Sequence, residues 1–506
     1  MVFVSRDRVQ EHFTITMKMH KTIRYSCVVL SILCYFFCFA GRGLQADFSH
    51  DDLMNLYKSW YPPIIRHISE IITFFTVSES FRPMGSLFYR LLFEIYGMDA
   101  LPFRMACYGL LLLNLWLAYC VVRRLANSRE VAVMAILLFS YHRGFSTLYV
   151  NTGMCFDLLC FCFYMAAFLY YLRHRHANWI QTFIWSILYV LCLNSKELGV
   201  TLPAAICIYE LLRRKPSRWK NWALGDSRIA IAGIAITLLF IFGRVYGGGG
   251  LSSLGGYQPV YQAGVYLARA HHFMAEALYN PQWLTPVAAA LSFAALASIA
   301  IWSRWLPLRF AVAWMPVAIL PVAFIPERGF ESVTTAALGL AMAVALIVTE
   351  TTRRIIRFKE REAAQFAAAF LLMVSINGKL GQIDYDAHFQ EGRLIRSVYE
   401  QIRAMQPAVP PDSNILFLKD PFPEMTWGTS FIVALHTKDL SVHVYRLDRL
   451  PKEIRPDFNI VFSYEKQKLA ACAIDWPGAG DSVASVCSYP PDVGNKIISS
   501  APVSRN

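Results

Sequence analysis

The apolar stretch YSCVVLSILCYFFCFAG, residues 25–41, runs almost directly into GLQADFSHDDLMNLYKSWYPP, residues 43–63. The first carries no charged residue. The second sets Asp47, His50, Asp51 and Asp52 within six residues. Charge at the boundary of a bilayer is costly unless it is solvated or used. The pair therefore reads as a membrane span followed by a loop with a task. The fold class turns on this reading, because the same apolar pattern recurs along the chain.

The composition agrees. Of 506 residues, 56% are hydrophobic, the mean hydropathy is +0.39 and only 16% are charged. A soluble domain carries roughly 25% charged residues. Apolar runs recur at about 25–44, 101–122, 131–150, 154–172, 179–194, 197–212, 228–246, 283–302, 308–325, 332–350 and 363–377. They predict a polytopic α-helical membrane protein with about eleven transmembrane helices. With a cytoplasmic N-terminus, KMHKTIR, RRLANSRE, RHRHAN, RRKPSRWKNWALGDSR, SRWLPLR and TTRRIIRFKERE fall inside. These segments are rich in Lys and Arg, and the alternate segments are poorer in them, as the positive-inside bias requires. That bias also accounts for the net charge of +13 and removes the need for a nucleic-acid partner.

Three organising units follow: a cytoplasmic segment 1–24, a transmembrane domain 25–377 with a first outer loop 45–100, and an extracytoplasmic domain 378–506. PIIRHISEIITFFTV and PMGSLFYRLLFEIYG are short, charged and helically periodic, so they read as helices lying in the outer interface. VYLARAHHFMAEALY reads the same way. YGGGGLSSLGGYQP, 246–259, reads as a flexible outer loop and lacks the Gly-Lys-Ser/Thr of a phosphate cradle. In the last unit, DAHFQEGRLIRSVYEQIRAM reads as a helix, and NILFLKD, LSVHVYRL and FNIVFSY as strands, giving a small α/β domain. Ten of the twelve cysteines lie in apolar segments. The other two, Cys472 and Cys487, would face an oxidising compartment where a disulfide can persist.

The polar residues gather on one side. Asp47, Asp51, Asp52, Arg82, His142, Arg143, Asn151, Asp157, Lys196, Glu197, Glu327 and Arg328 all fall in outer loops or at outer span ends. Such a face suits an amphiphilic anion, with a lipid tail between helices and a phosphate near Lys and Arg. Each residue also has a purely structural reading. Asp51 and Asp52 suit the first turn of a helix capped by Ser49. Lys196 and Glu197 suit a snorkelling pair, and so do Glu327 and Arg328. Arg143 and Asp157 suit a pair between adjacent spans. His50 suits a loop position.

The order of motifs resembles the GT-C superfamily of integral-membrane glycosyltransferases, closest to its family-39-like and multi-span O-mannosyltransferase-like branches. FSHDD resembles the acidic first-loop motif. FRPMGSLFYRLLFEIYGMDALPFRMACYGLLLLNLWLAYCVVRRL, SYHRGFSTLYVNTGMCFDLLCFCFYMAAFLYYLR, NSKELGVTLPAAICIYELL and LPVAFIPERGFES resemble later motifs in order. Tyr-His-Arg stands where relatives often have His-Pro, and the helical repeats that follow the spans in animal members are absent. The resemblance implies an inverting transfer of sugar from a polyprenyl-phosphate donor to an unassigned acceptor on the extracytoplasmic face of a membrane, a bacterial inner membrane by this reading. It implies Asp51 or Asp52 as base, with Asp52 preferred. It implies Lys196, Arg328 and Arg82 on the donor phosphate. Glu197, Asp157, Arg143 and His50 are supporting. Neither metal nor cofactor is required by this scheme. The alternative is a transporter or flippase for a lipid-linked sugar.

Overall fold

The computed structural model describes residues 26–75, 82–140, 142–214, 216–219, 222, 226–246, 258–280, 283–355, 361–405, 409–425, 427–450, 457–475 and 484–488. Most of the glycine-rich stretch 246–259 lies outside them. Five described helices are long and apolar enough to cross a membrane: α1 (Ser26–Gln45), α5 (Ala100–Ala126), Thr152–Arg173, Pro286–Ser303 and Phe330–Ile355. A sixth span forms if α6 (Arg129–Ser140) is taken with Arg143–Val150, which bends away from it by 65° and ends in α7 (Ser146–Val150). Thr152–Arg173 contains α8 (Cys155–Arg173).

Helices also occupy the other expected positions, but among the described residues only five, or six with the bent pair, have the length and apolar character of a crossing. Further along the chain stand α9 (Trp179–Ser195), α10 (Leu202–Arg213) and α11 (Arg228–Tyr246). After them come α12 (Ala263–Ala277), α13 (Pro286–Ser303), α14 (Leu306–Ala318) and α15 (Thr334–Ile355). The shortfall has local causes. A 3₁₀ turn, Glu197–Thr201, takes up the start of the sixth expected span, and α14 holds Pro316 and stops two residues later. Helix α8 is the centre of the bundle: 83% of its apolar window is buried, against 11% for α13. Around it the buried Trp314 indole donates to the Tyr164 hydroxyl at 3.2 Å, and Trp185 donates to the Ala167 carbonyl at 3.0 Å. Buried indoles keep a partner for N–H in this way.

Between α1 and α5 lie three short helices, α2 (His50–Trp60), α3 (Ile64–Ile72) and α4 (Pro83–Tyr96). α3 and α4 fall on the two amphipathic segments read in the first loop, and α2 on the helix start capped by Ser49. The boundary expected at 377 is not a break. One continuous helix, α16 (Arg361–Met405), has 45 residues and, at 1.5 Å per residue, runs about 67 Å.

Beyond α16 the strands are β1 (Asn414–Phe417), β2 (His443–Arg446), β3 (Ile460–Glu465), β4 (Lys468–Asp475) and β5 (Ala484–Ser488). Their order is β2-β1-β3-β4-β5. β1 is parallel to both β2 and β3, with Ile415 opposite Val444 and Ile460, and β3, β4 and β5 run antiparallel. Helix α17 (Gly428–Thr437) follows β1 and leads to β2, as a parallel pair demands. Cys472 and Cys487 are direct partners in the β4–β5 register and are disulfide-bonded.

Candidate active site

Helix α2 starts where the sequence places its cap. The Ser49 N–H and hydroxyl donate to Asp52 Oδ2 at 2.9 and 3.0 Å, and the Asp52 N–H donates back to Ser49 Oγ at 3.3 Å. This is a reciprocal capping box. Asp52 has no exposed surface. The Tyr89 hydroxyl donates to its Oδ1 at 2.7 Å, and Arg104, itself buried, lies 3.4 Å from its Oδ2. Both carboxylate oxygens are thus occupied by fixed donors, which turns the preference between the two acids away from Asp52.

Asp51, one residue earlier, is exposed. Partial desolvation, then the negative charges of Asp52 and Glu391, push its pKa above the ordinary aspartate value, and His50 opposes the shift. His50 is not a loop residue: it is the first residue of α2 and it is buried. Its N–H donates to Glu391 Oε1 at 2.8 Å, and its ring meets the rings of Phe422 and Trp427 edge-on at 5.0 and 5.9 Å. Burial pushes its pKa down, which keeps the imidazole neutral near pH 7.

Two ion pairs stand deeper. Lys196 Nζ donates to both Asp157 oxygens at 2.6 Å. Arg82 grips Glu197 with its Nε at 3.2 Å and Nη2 at 2.9 Å on the same oxygen. The sequence pairings therefore change partners. Asp157 is taken by Lys196 where Arg143 was expected, and Glu197 by Arg82 where Lys196 was expected. Glu327 is taken by Arg269 of α12 where Arg328 was expected. The reason is distance along the bundle: the turn between α9 and α10 folds back onto α4 and α8. Arg328 is half-buried in the turn before Phe330, whose ring packs on His142 at 4.4 Å.

These pairs and the start of α2 form one assembly. Tyr89, bonded to Asp52, contacts the Phe156 ring at 6.2 Å, and Arg82 lies over the same ring at 5.6 Å. A side chain at Gly85 would come within 2.1 Å of that ring, so only glycine lets α4 lie so close to α8. Glu331 joins from the far side: it accepts from the Thr147 hydroxyl at 3.2 Å and feels the charges of Asp157 and Lys196.

Sequence reasoning missed Tyr89, Arg104, Glu331 and Glu391. Arg104 had a usable signal, a lone cation in the first turn of an apolar span. Glu391 had none, since an acid on an amphipathic helix is ordinary.

The site thus sets an exposed Asp in the first turn of α2 near half-buried cations held by carboxylates, in a bundle that holds helices long and apolar enough to cross a membrane. Residues 80–244 match the family model described as dolichyl-phosphate-mannose-protein mannosyltransferase. The match contains Arg82, Asp157, Lys196 and Glu197, and leaves out the first-loop acids and α16. Among solved structures the chain is similar to ArnT from Cupriavidus metallidurans bound to undecaprenyl phosphate, at 12% identity and a TM-score of 0.49, over 86% of this chain and 93% of that one. It is similar also to the apo state of the same protein, at 12% identity and a TM-score of 0.46, over 82% and 85%. No curated protein matches the sequence.

Proposed function

We propose that the protein transfers a sugar from a polyprenyl-phosphate donor to an acceptor hydroxyl at the extracytoplasmic face of a membrane, with inversion and with Asp51 as base. The observation that supports this reading is the run of contacts from α2 through Tyr89 and Phe156 to the Arg82–Glu197 and Lys196–Asp157 pairs. It brings together an exposed carboxylate of raised proton affinity and two half-buried cations. A hydroxyl is a poor nucleophile and gains from a positioned base whose pKa lies toward the working pH. The acceptor oxygen bonds to the anomeric carbon as its proton passes to Asp51. The bond from that carbon to the phosphate oxygen breaks, and its electron pair leaves with the lipid phosphate.

The leaving phosphate gathers negative charge and needs fixed donors. Asp157 and Glu197 aim Lys196 and Arg82 without exhausting them: an ammonium has three donors and a guanidinium five. Arg328, in the neighbouring turn, completes the proposed set. Asp157, Glu197, Arg143 and His50 support it. The lipid tail lies between helices in the bilayer. Neither metal nor cofactor enters the scheme.

The test uses purified full-length protein and a radiolabelled polyprenyl-phosphate sugar. Asp51→Asn should lower turnover by about a hundred- to ten-thousand-fold with the fold intact. Lys196→Ala and Arg82→Ala should weaken donor binding. Full turnover by a folded Asp51→Asn protein refutes the base assignment. Movement of the lipid across liposomes without cleavage would make the protein a transporter.

A further inference from the structure

We infer that Glu391, on α16, is the positioning residue for Asp51: it anchors the first residue of α2 and holds a negative charge beside the base. The inference rests on the proposed function and deepens it. Glu391 Oε1 accepts the His50 N–H at 2.8 Å and lies 4.0 Å from His50 Nε2. The next residue, Gly392, is pressed on the first loop, where an added Cβ would sit 3.1 Å from the Asp47 carbonyl oxygen. Arg396, further along the helix, bonds Asp47 Oδ1 at 3.0 Å. The entry to α2 is therefore fixed from α16.

The charges around Asp51 can be taken element by element. On α2 and in the loop before it, Asp52 is paired with Arg104 of α5, and Asp47 with Arg396 of α16. α4 brings Tyr89, bonded to Asp52. α17 brings His436, edge-on to Tyr399, and Lys438 lies just after it, over Phe93. The turn Thr152–Met154 brings no charge. The remaining acid is Glu391, and it faces a histidine that burial keeps neutral. Two N–H groups at the start of α2 are satisfied by Glu391 and by Ser49. Asp51 is thereby spared capping duty and left to take a proton. A negative neighbour raises a carboxyl's proton affinity, which makes Asp51 a stronger base for the acceptor hydroxyl.

Glu391→Gln keeps the oxygen that accepts from His50 and removes the charge. In full-length protein the acid limb of its pH–rate profile should move to lower pH, by about half a unit to one unit. The plateau rate should fall a few-fold. A second reading needs no turnover: carbodiimide labels protonated carboxyl groups, and peptide mass spectrometry gives the pH midpoint of Asp51 labelling. That midpoint should move down with the limb. An unmoved midpoint overturns the inference. So does a Glu391→Gln protein that fails to fold, since only a structural need for the charge would then remain. If the midpoint moves while the wild type transfers no sugar, the coupling stands and the functional reading falls.

Discussion

At the scale of single residues, two adjacent aspartates have separate duties. Asp52 closes the capping box and neutralises buried Arg104, while Asp51 is exposed beside it. Removing one partner of a buried ion pair leaves an uncompensated charge and costs about 3–5 kcal/mol. Asp52→Ala should therefore lower the unfolding transition in detergent sharply. Asp51→Asn should change stability by less than about 0.5 kcal/mol while lowering turnover by about a hundred- to ten-thousand-fold. Equal melting of the two variants would refute the division. With Asp51 as the proposed base, transfer would need its ionised form, and its pKa is raised. Turnover should accordingly fall on acidification at a pH above the ordinary aspartate range, and this limb should vanish in Asp51→Asn. The cap was legible in the sequence, because Ser49 and Asp52 stand at the spacing of a capping box. The partners that decide between the acids were not: Tyr89 is 37 residues away and Arg104 is 52.

At the scale of elements, legibility followed the kind of periodicity. The interfacial helices and three of the strands declared themselves by alternation or by helical spacing. Helix α17 did not, because GTSFIVALHT is a short, largely buried apolar run that periodicity cannot assign. The β4–β5 pair escaped because its described residues are mostly exposed and show little buried face to alternate, although its two cysteines marked it. How helices approach one another was hidden too. Gly85 looks incidental in PMGSLFYR, yet it sets the distance between α4 and α8. Gly85→Ala should drive the Phe156 ring aside, costing about 1–3 kcal/mol of stability, and should weaken donor binding by shifting Arg82 from Asp157 and Lys196. Unchanged melting and unchanged donor affinity would show that α4 has room to spare. The disulfide, by contrast, closes only the β4–β5 pair. Replacing both cysteines by Ala should raise hydrogen exchange in that hairpin and leave transfer untouched.

At the scale of the whole molecule, the basic segments assign sides and α16 ties the sides together. One helix leaves the bundle, presents Glu391 and Arg396 to the first loop, and bonds the sheet through Gln401, which accepts from the Leu469 N–H at 2.6 Å. Tyr57 of α2 stacks on Phe431 of α17 at 4.4 Å. The first loop and the sheet domain therefore share one side, whichever compartment that side faces. The positive-inside bias predicts the extracytoplasmic one, a prediction that suits a disulfide between Cys472 and Cys487. A membrane-impermeant thiol reagent on intact cells decides the matter, with the wild type as background. Glu424 is exposed near the first loop, and Ser217 is exposed in the basic segment after α10. Glu424→Cys should label before lysis and Ser217→Cys only after it. The opposite pattern would put the site in the cytoplasm, where the acceptor would have to be sought among cytoplasmic hydroxyls. Labelling of both before lysis would mean that an even number of crossings, and not five, separates the two positions, as when α14, which lies between them, stops short of the far side.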